Sequence, residues 1–245
     1  MIGRKILEQD WNQIWSELGD GMSNNPSRII RHRAVEKFLR GNQIADFGAG
    51  DGELVIKLRK KGFNAKGFEM SQQGVEKANT RALSENLGKV LYKFNEVREI
   101  PGFYSSIIVS EVIEHIEFPI PTLIELRKKL KKSGNLIVTV PAGPMSEFDK
   151  FIGHYRHYSK KTIEKLLTDS GFKVLETKQI GFPILNLVRI WSLIRGKKMV
   201  SDLKKSQFRK RSPMIDTMLK ILLLPSQFSL PIGWQLVVHA VSSED

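Results

Sequence analysis

The 245-residue chain has no cysteine, so disulfides and thiolate metal sites are excluded and a cytoplasmic location is allowed. No apolar run approaches the ~20 residues needed to span a bilayer. Residues Met1 to Lys5 lead into an acidic, tryptophan-bearing stretch without the apolar core of a secretory leader, so none is expected. Internal repeats and low-complexity segments are also missing. Acidic residues are few: 26 Asp and Glu face 39 Lys and Arg, a formal net charge of +13. Nucleic acid, an anionic membrane surface and acidic substrates are therefore all admitted as partners. The length and the 41% hydrophobic content suit one globular domain with a full core and an appended piece.

What is present centres on Ile44-Ala45-Asp46-Phe47-Gly48-Ala49-Gly50-Asp51-Gly52. A short apolar strand ends in an aspartate and passes through a turn with glycine at alternate positions into a helix near Glu53. Glycine is needed where backbone approaches a ligand or adopts positive φ. An acidic residue, Glu69, follows about twenty positions on, as in nucleotide sites generally. A dinucleotide site would set a pyrophosphate at the helix N-terminus. Asp46, Asp51 and Glu53 crowd that place with negative charge, and the glycine spacing is G-x-G-x-G rather than G-x-G-x-x-G. Both features favour a ligand with an ammonium group and no phosphate, S-adenosylmethionine over NAD.

Strand and helix patterns alternate through the rest of the chain. Strands are expected at about 43–47, 65–69, 90–94, 105–110, 135–140, 173–180 and 235–241. Helices are expected at about 53–61, 72–85, 121–132 and 160–170, with Ser71 and Ser159 as N-caps. This order predicts a doubly wound α/β fold, a seven-stranded mostly parallel sheet with helices on both faces. Ligands of such sheets lie beyond the C-terminal strand ends. Residues 1–42 read as a helical cap, with Trp11, Ile14, Trp15 and Leu18 on one face and a second helix over 28–39. Residues 43–181 and 233–245 form the core, and residues 182–232 a basic amphipathic helical insert.

With these motifs the chain resembles the class I S-adenosylmethionine-dependent methyltransferases of small-molecule type, over roughly Ile44 to Gly181. The resemblance rests on the glycine turn, on Gly67-Phe68-Glu69-Met70-Ser71 and on Ile107-Ile108-Val109-Ser110-Glu111-Val112-Ile113-Glu114-His115-Ile116. It continues in Leu136 to Pro141 and in Gly153-His154-Tyr155-Arg156-His157-Tyr158. It implies a Rossmann-like methyltransferase fold with S-adenosylmethionine as cofactor. The cofactor-binding positions it implies are Asp46 (ammonium), Gly48, Ala49, Gly50 and Gly52 (turn), Glu69 (ribose hydroxyls), Met70 (adenine), Asn95 and Glu96 (after the third strand) and Ser110. Asn95 stands where the family often has aspartate.

The candidate catalytic residues are Glu111, His154, Tyr155 and His157. Glu111 ends the fourth strand beside the expected methyl position. The histidines are of the type that removes a proton from a hydroxyl or amine. His115 reads as structural, and Arg156 as a partner for Asp149 or Glu147. Asp149, His154 and His157 could be drawn as a metal cluster, but solvated loop residues are the default and no metal is expected.

The implied activity is methyl transfer to a small-molecule, sugar or lipid-linked acceptor, with oxygen the preferred acceptor atom. Alternatives are a non-catalytic module that binds an adenosyl ligand and a nucleic-acid methylase using the basic insert. The latter is disfavoured because the Asn/Asp-Pro-Pro-Tyr/Phe motif is replaced by Ser110-Glu111-Val112-Ile113. Basic residues beside Trp191 and Phe182 fit a helix lying on an anionic membrane surface, so a peripheral membrane position stays open beside the cytoplasm. A lid or an oligomer surface fits the insert equally well.

Overall fold

The computed structural model describes residues 27–196, 198, 201 and 221–243. The apolar face expected over residues 11–18 and most of residues 197–220 of the basic insert lie outside these residues. The strands are β1 (Gln43–Phe47), β2 (Asn64–Glu69), β3 (Leu91–Lys93), β4 (Tyr104–Ser110), β5 (Leu130–Pro141), β6 (Phe172–Ile180) and β7 (Gln235–Ser242). The helices are α1 (Ser27–Glu36), α2 (Glu53–Lys60), α3 (Gln72–Ser84), α4 (Pro119–Arg127), α5 (Glu147–Phe151), α6 (Lys160–Asp169) and α7 (Ile184–Arg195). One seven-stranded sheet runs β3-β2-β1-β4-β5-β7-β6. β1 pairs in parallel with both β2 and β4, while β7 runs antiparallel between β5 and β6.

Side chains alternate between the two faces of the sheet, as pleating requires. Ile44, Ile108, Ile137 and Val237 pack with Ile30 and Val35 of α1, with Leu54, Val55 and Leu58 of α2 and with Val75 and Ala78 of α3. Ala45, Ile107, Val109, Leu136 and Val138 face Leu123 and Leu126 of α4 and Ile163 and Leu167 of α6. Strands buried on both faces read as continuous apolar runs for this reason. The caps stand where the sequence puts them: Ser71 Oγ accepts from Gly74 N–H, and Ser159 Oγ from Thr162 N–H.

The helix expected over 121–132 stops earlier, at Arg127. Tyr104 N–H donates to Lys129 O and Leu130 pairs with Tyr104, which draws Leu130 to Lys132 into β5. Sheet pairing overrides the helical leaning of the lysine run here.

Between β6 and β7 the chain makes a long excursion whose two ends are held together. Ile180 pairs with Gln235, and Gly181 N–H donates to Ser226 O. The Asn186 amide donates to Ile232 O at 2.7 Å and accepts from Trp234 N–H at 3.0 Å. Leu187, Trp191 and Ile194 of α7 are exposed. Among the described residues no helix is long and apolar enough to cross a membrane.

Candidate active site

The sheet order reverses between β1 and β4, and sheets of this kind bind ligands beyond the C-terminal strand ends at such a place. The glycine turn stands there. Gly48 has φ +72°, and a Cβ there would meet Val112 Cγ2 at 2.5 Å. Gly52, at φ +69°, starts α2, and its Cβ would lie 2.8 Å from Ala78 Cβ and Leu91 Cδ1. Backbone at both positions is therefore available only without a side chain.

Two carboxyl groups border the turn. Glu69, at the end of β2, is buried, and its Oε2 accepts from Gly50 N–H at 2.8 Å while Oε1 accepts from Ser71 N–H at 2.9 Å. Burial pushes this carboxyl up, and the backbone N–H groups pull it back. Each oxygen keeps lone-pair capacity for a ribose hydroxyl. Asp46 stands one residue before the end of β1 on the α1 side, buried, and its carboxylate has no hydrogen bond among the described residues. Burial drives its carboxyl up to about 7, with Arg28 opposing and Glu69 and Asp51 adding to the rise. An ammonium group here would supply the counter-charge that Asp46 lacks. A glycine floor and two buried carboxyl groups at adjacent strand ends thus fit S-adenosylmethionine.

Arg28 is the site residue that sequence reasoning missed. Its guanidinium, on α1, meets Asp51 at 2.5 and 3.1 Å and Glu53 Oε2 at 3.1 Å. The negative crowding expected at the turn is thus offset for two of its three carboxylates. The phosphate-repulsion argument loses that much force, and the cofactor assignment rests on the features above and on the relatives below. A helical residue about twenty positions before the turn carries no local motif, so nothing in the sequence marks it.

Of the remaining cofactor positions, Ala49 and Met70 pack against the core clusters. Asn95 is exposed, and its backbone N–H donates to Glu99. Glu96 caps the short 3-10 turn Val97–Glu99 and pairs with Arg98, so its carboxylate serves local structure.

A second group of polar side chains stands at the ends of β4 and β5. Glu111 holds φ +57°, an uncommon conformation for a non-glycine residue and one met at functional sites. Its Oε1 accepts from Gln235 Nε2 at 2.8 Å and from Thr139 Oγ1 at 3.1 Å. Thr139 Oγ1 lies 2.8 Å from Ser110 Oγ, so with its own proton spent on Glu111 it accepts from Ser110. Arg31 of α1 stands 3.8 Å from Glu111 Oε2. Burial lowers this guanidinium, and Glu111 opposes the shift.

The loop after β5 departs from its sequence reading. The side chains of His154, His157 and Asp149 are 6%, 5% and 9% exposed, not solvated. Ser146 and Asp149 form a capping box on α5, and Arg189 of α7 approaches Asp149 at 3.7 Å. Arg156 pairs with neither Asp149 nor Glu147; it donates to Glu117 O at 2.7 Å. Tyr155 is exposed beneath the Arg156 guanidinium. Burial lowers His154 to about 2, with His115, His157 and Arg189 adding to the effect, and it lowers His157 as well. Both rings are neutral at pH 7, and His154 is a weak proton acceptor.

The chain matches the methyltransferase-domain family over residues 22–177 and belongs to it. It is 30% identical over 144 residues to the ubiquinone biosynthesis O-methyltransferase of Rickettsia akari, covering 55% of this chain and 56% of that protein. It is 30% identical over 142 residues to the 23S rRNA (uracil(747)-C(5))-methyltransferase of Pyrococcus horikoshii, covering 56% of this chain and 32% of that one. The chain thus spans little more than half the length of the first relative and about a third of the second. Among solved structures, the [4+2]-cyclase SpnF superposes with TM-score 0.65 at 13% identity, over 96% of this chain and 95% of that one. Magnesium protoporphyrin IX methyltransferase from Synechocystis, with bound S-adenosylhomocysteine, gives TM-score 0.54 at 16% identity, over 98% and 96% of the two chains. These likenesses show the fold. The chain thus carries a methyltransferase domain.

Proposed function

We propose that the acceptor is a small molecule with a hydroxyl group, methylated on oxygen, whose apolar portion lies along α7. The observation that carries the reading is Glu111. It projects from the end of β4 with one carboxylate oxygen held by Thr139 and Gln235. The other oxygen accepts the hydrogen bond of an incoming hydroxyl group. The cofactor supplies a methyl group already activated on a sulfonium, so the residues need mainly to align acceptor and methyl. The Rickettsia akari relative, named as an O-methyltransferase, supports oxygen as the acceptor atom. The exposed Leu187, Trp191 and Ile194 support an acceptor with an apolar tail, presented free or from an anionic membrane surface.

The test is transfer of radiolabelled methyl to a panel of phenols, catechols and sugars, each with and without an isoprenoid or acyl tail. Labelled ether products that favour the tailed members are expected. Label found only in RNA would replace this reading with a nucleic-acid methylase. Flotation with phosphatidylglycerol vesicles tests the membrane version, and absence of binding would remove it.

A further inference from the structure

Glu114 lies in the 3-10 turn Ile113–His115 directly after β4, with no exposed surface, and neither of its carboxylate oxygens has a hydrogen-bond partner. A buried carboxyl without partners is costly, and native structures seldom keep one without a reason. The neighbouring charges do not resolve it. Arg31 faces Glu111 and Arg189 faces Asp149, so the two arginines that approach Glu114 are matched by other carboxylates.

Two imidazoles stand against this carboxyl. One atom each from Glu114, His115 and His154 lie within 4.8 Å of one another. The rings of His115 and His154 meet edge to face, with centroids 4.5 Å apart. A relay of hydrogen bonds then sets the tautomer of His154. His157 Nδ1 lies 3.1 Å from Gly143 O, which only accepts, so His157 carries its proton on Nδ1. Its bare Nε2 lies 3.1 Å from His154 Nδ1, so His154 donates there and keeps a lone pair on Nε2. Metal-ligating histidines likewise donate their other ring N–H to a fixed acceptor, which sets the tautomer.

We propose that Glu114, His115 and His154 bind a divalent first-row transition ion, with Zn2+ the best match. Two nitrogens and one carboxylate oxygen suit zinc and its neighbours, whereas magnesium prefers an all-oxygen octahedron. The cation supplies the charge that Glu114 lacks. Asp149, His154 and His157 form a second candidate set sharing His154. Asp149 already accepts from Ser146 and faces Arg189, so that set is spoken for. An ion with three protein ligands keeps open positions. If the acceptor is a hydroxyl compound, as proposed above, the ion would lower the pKa of that hydroxyl.

The experiment is elemental analysis of the protein purified without chelators, followed by calorimetric titration of chelator-stripped protein with Zn2+ and Mg2+. Near-stoichiometric Zn2+ binding is expected, with a higher unfolding temperature in the loaded form. Glu114→Gln and His115→Asn should each weaken Zn2+ about tenfold or more, and Asp149→Asn should leave it largely intact. S-adenosylhomocysteine binding, measured alongside, shows that each variant is folded. No Zn2+ binding by the folded wild-type protein overturns the proposal. So does loss in Asp149→Asn with retention in Glu114→Gln, or binding of Mg2+ alone. None of these readings depends on methyl transfer, so failure here leaves the acceptor assignment standing.

Discussion

Arg28 grips Asp51 with both terminal nitrogens, Nη2 at 2.5 Å from Oδ1 and Nη1 at 3.1 Å from Oδ2. This bidentate pair joins α1 to the glycine turn, and Asp51 Oδ1 also accepts from Glu53 N–H at the start of α2. Removing one partner of a buried pair strands the other charge, at a cost of about 3 kcal/mol or more. Arg28→Ala should therefore lower stability in urea by about that amount and weaken S-adenosylhomocysteine binding. Full stability in Arg28→Ala would show that the pair does not tie the helix down.

Asp46 gives a pH dependence of unusual sign. Its carboxyl titrates near 7 when folded, against 3.8 unfolded. Between those values the folded protein holds the extra proton, so this group erodes stability as pH rises through the window. Asp46→Asn should escape that erosion and gain on the wild type from about pH 4 to about pH 7 in thermal unfolding. Cofactor binding should run the other way. The ammonium group needs the carboxylate, so wild-type affinity rises over the same range. The variant stays flat and about tenfold weaker, as loss of one charged hydrogen bond implies. Parallel pH profiles for the two proteins would refute the assignment.

Gly48→Ala sets a methyl group 2.5 Å from Val112 Cγ2 at φ +72°. The clash and the backbone strain should together cost about 2 kcal/mol. Val112→Ala should return part of the loss, because it removes the clash and leaves the strain. An unchanged unfolding midpoint in the single variant would contradict the close approach of the turn to Val112.

Glu111→Gln keeps the size of the side chain and removes its charge. Calorimetry should show S-adenosylmethionine binding within about twofold of wild type, since the carboxylate contacts no residue of the cofactor turn. Turnover on a hydroxyl acceptor should fall about a hundredfold or more. Equal turnover would take Glu111 out of the acceptor site.

Much of this arrangement is legible in the sequence, because it is written in local patterns. β1 falls on Gln43–Phe47 as expected, and Ser71 and Ser159 cap their helices because the side-chain bond spans only three residues. The glycine turn and Glu69 declare themselves by spacing. What escapes is set by partners distant in sequence. Arg28 belongs to the site through Asp51, 23 positions away. The histidine loop is buried because Arg189 and Ser192 of α7 close over Asp149 and Ser146, some forty residues earlier. β5 begins at Leu130 because Tyr104 offers it a partner. No window of residues around these positions contains the cause.

The clasp formed by Asn186 with Ile232 and Trp234 closes the excursion at its root, beside the pairing of Ile180 with Gln235. Whatever lies between is topologically a side branch. The cost of closing a loop grows only with the logarithm of its length, about 0.6 kcal/mol per doubling. Beyond α7, whose Arg189 and Ser192 pack on the frame, the length of the excursion therefore weighs little on the stability of the sheet. A change of length there leaves strand register and the glycine turn as they are.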